Sequence, residues 1–202
     1  MSAAEGGSRF RRLCVFCGSA VGRHPVYGEA ARELARLASE ASIELVTGGG
    51  RIGLMGVIAN SALEAGGRVI GVIPRGLVAR EQAHEELSEL RIVDSMHERK
   101  ALMAELSDGF VALPGGMGTL EEISEALTWL QLGIHQKPCA LLNVDGYWDH
   151  WIAHLDHAVD EGFFKPEHRQ LVLVEEDPST LIERLASYRI PALPRWLPAA
   201  AT

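Results

Sequence analysis

Two short stretches carry the residue types needed for chemistry on a small phosphorylated molecule. The first runs Pro114, Gly115, Gly116, Met117, Gly118, Thr119, Leu120, Glu121, Glu122. A proline that stops a strand, three glycines that free the backbone and a threonine hydroxyl would offer bare N–H groups at a helix start, a cradle for one phosphate. No Gly-Lys-Ser/Thr follows, so a triphosphate held with magnesium is not indicated. Glu121 and Glu122 alone would suit simple dipole complementarity at a helix N-terminus. Without the glycines beside them that reading would be favoured. On a helical wheel Leu120, Ile123, Leu127 and Leu130 share the core face, Glu122 points roughly opposite, and Glu121, Glu125 and Thr128 form a flank. The second stretch, Met96-His97-Glu98-Arg99-Lys100, holds the only adjacent Arg-Lys pair in a chain whose only lysines are Lys100, Lys137 and Lys165.

A third stretch is more ambiguous. Gly48, Gly50 and Gly53 satisfy G-x-G-x-x-G between a strand and a helix, an arrangement that can bring backbone to a phosphate. A dinucleotide site would also want an acidic residue about 20 positions on, where the chain reads Ile73-Pro74-Arg75-Gly76. A nicotinamide cofactor is therefore poorly supported. Phosphate approach by Gly49 and Gly50 and a tight, closely packed turn both remain open. Glu81 is a weaker candidate, in a loop-like segment. His97, His135, His150, His154 and His157 show no metal-ligand pattern, although His150, His154 and His157 share one helix face as an exposed or interface stripe.

These residues need a scaffold that gathers strand ends. Short apolar runs at 12–17, 43–47, 68–73, 90–93, 109–113, 138–144 and 171–175 alternate with helical periodicity at about 26–41, 54–66, 96–107, 119–132, 148–162 and 178–187. Strand and helix in alternation predict an α/β fold, a doubly wound, mostly parallel sheet in three layers, α/β/α. Several strands are apolar throughout, as suits a sheet covered on both faces. Ligands of such folds bind beyond the carboxyl ends of the strands. Eight of the 21 glycines (Gly18, Gly48, Gly49, Gly50, Gly53, Gly115, Gly116, Gly118) fall there, and Gly18 and Ser19 join the candidate contacts. Residues 1–10 read as a tail, 11–188 as one domain, and 189–202, with three prolines in eight residues, as a second tail that cannot be a helix.

Composition narrows the function classes. The 202 residues allow one α/β domain and no second catalytic domain. No apolar run approaches the roughly 18 residues of a membrane span. With 19 Lys+Arg against 27 Asp+Glu, the net charge of −8 argues against a nucleic-acid partner, though not against a single small phosphate. Cys14 and Cys17 stand in C-x-x-C spacing with Cys139 far away, which builds neither a disulfide framework nor a zinc site. The beginning of the chain lacks the apolar stretch of a secretion signal, so a cytoplasmic location is expected.

Assembled, these stretches resemble the LONELY GUY family of cytokinin-activating phosphoribohydrolases, whose members are often labelled possible lysine decarboxylases. The resemblance spans about residues 12–186 and rests on CVFCGS at 14–19, GGGRIGLMG at 48–56, GVIP at 71–74, MHERK at 96–100, PGGMGTLEE at 114–122 and TWLQLG at 128–133. It implies a Rossmann-like homodimer that hydrolyses the N-glycosidic bond of N6-substituted adenosine 5′-monophosphates to free base and ribose 5-phosphate, without metal or cofactor. By motif, Arg99 and Glu122 match the catalytic pair. Glu81, Lys100, the segment Gly116, Met117, Gly118, Thr119, Leu120 and Glu121, and Thr128 match substrate-binding positions. Met117 stands where the plant proteins often have an aromatic residue. The alternative is a non-catalytic module that binds or senses AMP with the same cradle. Lysine decarboxylation would need a Schiff-base lysine, and only Lys100 falls in the expected site.

Overall fold

The computed structural model describes residues 10–189 and residue 191. The expected tails therefore lie almost wholly outside the described residues. Among the described residues seven strands form one sheet: β1 (Arg12–Phe16), β2 (Glu44–Thr47), β3 (Val69–Pro74), β4 (Glu89–Val93), β5 (Gly109–Ala112), β6 (Cys139–Leu142) and β7 (Val172–Glu175). Their order is β4-β3-β2-β1-β5-β6-β7, and every pairing of neighbours is parallel. The sheet thus winds one way from β1 to β4 and the other way from β5 to β7, with the reversal between β1 and β5.

Helices cover both faces because the strands alternate two apolar sets. Leu13 and Val15 face the layer of α1 (Pro25–Glu40), α2 (Gly53–Glu64) and α7 (Pro178–Ser187). Cys14 and Phe16 face the layer of α3 (Met96–Leu106), α4 (Met117–Leu132) and α5 (Asp149–Asp160). The period-two alternation of strand side chains produces this division. No helix among the described residues is long and apolar enough to cross a membrane.

Each expected strand and helix is present. A four-residue helix α6 (Pro166–Arg169) and single turns at Arg75–Leu77 and Val144–Gly146 were not foreseen, being too short to show a period. One difference in boundary matters for the site. The helix expected from 119 begins at Met117, so the glycine segment supplies the first helical turn itself. Its N-cap, Gly116, has no side chain to cap with, which leaves the first amides to face outward. The start of α3 is fixed instead by its own side chains. Ser95 Oγ accepts from Glu98 N (3.1 Å) while Glu98 Oε2 accepts from Asp94 N (2.8 Å), a variant of the capping box that sets where Arg99 and Lys100 project.

Candidate active site

The crevice at the sheet reversal is closed at its base by backbone. Gly18 N donates to Pro114 O (3.1 Å), tying the loop after β1 to the loop after β5, and Leu54 N at the start of α2 donates to Gly18 O (3.0 Å). Gly53 permits this approach, since its φ is +61° and a Cβ there would lie 2.2 Å from the carbonyl carbon of Ser19.

Above this base lies a cavity of about 240 Å³. Gly18 and Ser19 line one side, and Gly116, Met117, Gly118 and Thr119 at the start of α4 line another. A Cβ on Gly116 or Gly118 would meet nothing within 4 Å, so the helix start is open to a ligand. Glu81, Arg99, Glu121 and Glu122 face the same space. One set of walls therefore offers helix amides for an anion, and the other offers carboxylates and a guanidinium.

Arg99 is buried, with 5% of its surface exposed. Its Nη2 donates to Gly48 O (3.1 Å) and lies 3.5 Å from Glu81 Oε2. Gly48 makes the room, because a Cβ there would stand 1.9 Å from that nitrogen. Arg99 Nε and Glu81 Oε2 are buried without a hydrogen-bond partner among the described residues, a condition native proteins rarely tolerate outside functional sites. Burial pushes the Glu122 carboxyl up to about 7, with the Arg99 charge opposing and Glu121 and Glu81 reinforcing the rise. A carboxyl poised near neutrality can exchange a proton in either direction.

Other expected residues are placed differently. Lys100 reaches across to α4, where Glu121 and Glu125 Oε1 (3.1 Å for the latter) accept its hydrogen bonds, and it does not line the cavity. Burial lowers its affinity for a proton, but the two carboxylates outweigh this and hold the ammonium above its ordinary range. Gly49 and Gly50 sit behind the cavity. Gly49 O accepts from His84 N (2.9 Å) and Gly50 bridges Ala83, so the pair anchors the segment that carries Glu81. Leu120 packs toward the sheet. Thr128 donates to Ser124 O (2.7 Å) and borders a separate groove with Leu127, Trp151 and Phe164. His150, His154 and His157 are exposed along α5, and no group of three metal-ligating side chains occurs among the described residues.

Four lining residues escaped the sequence reading: Cys17, Met55, Leu77 and Met96. Met55 and Met96 lie within glycine- and arginine-bearing motifs that could have flagged them, and Cys17 directly follows β1. Leu77 sits in a one-turn helix with no periodic signal. The Cys17 thiol is pushed well above its ordinary range by burial and then by Glu122, which keeps it protonated.

A parallel sheet with an open helix start and a buried arginine beside a carboxylate at its reversal defines a protein of the Rossmann-like class. A family model described as possible lysine decarboxylase matches residues 55–185. A probable cytokinin riboside 5′-monophosphate phosphoribohydrolase of Oryza sativa subsp. japonica is 52% identical over 181 residues, covering 90% of this chain and 80% of the relative. The cytokinin riboside 5′-monophosphate phosphoribohydrolase LOG of the same species is 50% identical over 184 residues, 91% and 76% of the two chains. The cytokinin riboside 5′-monophosphate phosphoribohydrolase LOG5 of Arabidopsis thaliana is 49% identical over 182 residues, 90% and 80%. The chain belongs to the family of these phosphoribohydrolases. The molybdenum cofactor carrier protein of Chlamydomonas reinhardtii superposes with a TM-score of 0.67 at 23% identity, covering 89% of this chain and 100% of that one. The molybdenum cofactor binding protein of Rippkaea orientalis gives 0.65, also at 23%, covering 88% and 96%. At that identity these two speak for the fold.

Proposed function

We propose that the protein hydrolyses the N-glycosidic bond of N6-substituted adenosine 5′-monophosphates, releasing the free base and ribose 5-phosphate. The observation that carries this reading is the meeting of Glu122 and Arg99 in one cavity with the open start of α4. The amides of that first turn and the Thr119 hydroxyl hold the 5′-phosphate, which places the ribose toward Glu122. As the C1′–N bond breaks, positive charge builds on the ribose. The Glu122 carboxylate stabilises it and takes a proton from the water whose oxygen joins C1′. The electron pair of the broken bond leaves with the base, and the proton that Glu122 took from the water passes through solvent to the base nitrogen, which restores the carboxylate. Arg99, too basic to give up its own proton readily, donates hydrogen bonds through Nε to the charge that develops on the base.

The decarboxylase description fits the residues poorly. Schiff-base chemistry needs an amine that can be neutral, and Lys100 is held as an ammonium by two carboxylates. Lys137 is turned to Ala104 O (2.6 Å), behind α3. We read the active form as a cytoplasmic homodimer. Thr128, matched to a substrate position yet outside this chain's cavity, supports a pairing in which the outer flank of α4 serves the second copy.

Incubation with N6-isopentenyladenosine 5′-monophosphate, AMP and lysine tests the proposal. Free base from the nucleotides, lost in Glu122→Ala and Arg99→Ala, is expected. Tight AMP binding without turnover would replace the enzyme with a sensor, and cadaverine from lysine would restore the decarboxylase.

A further inference from the structure

A second cavity, of about 310 Å³, opens on the far side of the loop after β1. It shares Gly18, Ser19 and Gly116 with the first cavity. Its remaining walls include Val21, Tyr27, Leu54 and Tyr147, and no charged side chain among the described residues lines it. The first cavity, by contrast, is faced by three carboxylates and a guanidinium.

The aromatic walls are held in place before any ligand arrives. Gly22 has a φ of +79°, and a Cβ there would lie 2.6 Å from the Tyr27 ring. Tyr27 meets Tyr147 edge to face, with centroids 5.7 Å apart and planes at 77°. The Tyr147 hydroxyl donates to Gly115 O, so one wall is fastened to the same loop that starts α4. A preformed apolar cavity with a few fixed polar edges is the usual form of a small-molecule site.

We propose that this cavity is a subsite for an uncharged planar group esterified to the 5′-phosphate of a nucleotide whose ribose faces Glu122. The inference rests on the reading above that the start of α4 holds the 5′-phosphate. Ser19 and Gly116 border both cavities, so a phosphate seated on them has one flank toward Glu122 and the other toward Tyr27 and Tyr147. A monophosphate leaves the second cavity unfilled, whereas a phosphodiester carries its second arm into it. The lining selects the arm. A charged extension would lose its hydration without finding a partner, while a flat ring gains contact with two tyrosine rings. The substrate class is thereby extended to nucleoside 5′-phosphodiesters bearing an aromatic or nucleobase arm, with the bond cleaved at C1′ unchanged.

Calorimetric binding of the phenyl and methyl phosphate esters of N6-isopentenyladenosine 5′-monophosphate tests this, because the two esters carry the same charge and differ in the ring. The phenyl ester should bind roughly tenfold more tightly to the wild-type protein, as expected for one ring leaving water. Val21→Arg, at a position 52% exposed, should abolish that preference and leave monophosphate turnover within about twofold, in line with the usual mildness of surface substitutions. Tyr27→Ala should abolish it independently. Equal binding of the two esters by the wild type, or a preference that survives both substitutions, overturns the subsite. So does tight binding of free adenine that is lost in these variants while the esters bind alike, which would assign the cavity to a detached base. Failure of the wild type to cleave the monophosphate would count against the hydrolase reading instead, and the ester comparison would still decide the subsite.

Discussion

The loops 48–56 and 114–119 are both rich in glycine and both follow strands of the same sheet, yet their glycines do opposite work. In the first, a Cβ at Gly48 would strike Arg99, one at Gly53 would strike the backbone of Ser19, and one at Gly56 would lie 2.0 Å from Arg51 O. In the second, Gly116 and Gly118 face open space, and only Gly115 is crowded, by Thr119 and Gly18. The first loop is a packing device that lets a guanidinium and a neighbouring loop come close. The second is a surface kept clear for something that is not protein. A G-x-G-x-x-G pattern thus has no fixed meaning, and what lies opposite each missing side chain decides it.

The comparison can be tested from the largest expected effect downward. Glu122 stands in the first turns of α4, directly behind the open loop, and supplies the chemistry rather than the scaffold. Glu122→Gln should lower kcat on an N6-substituted AMP by about a thousandfold, the range of a lost acid–base group, with KM nearly unchanged. Single-turnover kinetics would measure the split, and a loss confined to KM would remove Glu122 from the chemistry. Next, Gly53→Ala should cost about 3 kcal/mol or more in a urea titration, since it combines a strained φ with a backbone collision. A smaller cost would mean the two loops do not need their close contact. Gly48→Ala should fold and lose about a hundredfold in kcat, because a displaced Arg99 is a misplaced electrostatic partner. Retained activity there would sever the packed loop from the site.

The fold was readable because its signals are local. Apolar strands such as Leu45-Val46-Thr47 and Phe110-Val111-Ala112, each ending near glycine, announce a covered parallel sheet and its ligand edge. Arg99 and Glu122 were legible as residue types next to helix starts. What stayed hidden depends on groups far apart in the chain. Gly48 makes room for Arg99 across 51 positions, and Gly49 and Gly50 serve the Glu81 segment through His84 and Ala83. A motif cannot announce such partners. Lys100 was expected beside the anion site because of its charge and position. Its pairing with Glu121 and Glu125 depends on α3 and α4 lying side by side, which neither stretch announces. Helical spacing puts Thr128 on the flank of Glu121 and Glu125, but two turns along α4 from Glu121 carry that flank away from the cavity.

The ionisation of Glu122 gives a further, smaller test, in which stability rather than rate is read. Its carboxyl sits at about 7 in the folded chain against an ordinary 4.5, so between those values the folded state holds a proton that the unfolded chain gives up. Wild-type stability should therefore fall as pH rises through this window, by about 1–2 kcal/mol once partial solvent exposure is allowed for. Glu122→Gln should remove that fall and be the more stable protein at pH 8, its melting temperature higher by several degrees. Equal pH dependence in both proteins would mean that the carboxyl is not strained by burial.

The smallest effect is also the sharpest contrast with the packed loop. Gly118→Ala adds a methyl that meets no protein atom at a position inside the first turn of α4, where alanine is the better helix former by about 1 kcal/mol or less. Stability should therefore hold or rise slightly. The methyl does stand where a phosphate oxygen would approach the helix amides, so KM for the monophosphate should rise several-fold while kcat on saturating substrate changes little. Inorganic phosphate should likewise lose affinity as a competitive inhibitor. If KM and phosphate inhibition are both unchanged, the open glycines are not the phosphate cradle, and the division of labour between the two loops fails at the point where Gly53→Ala cannot reach it.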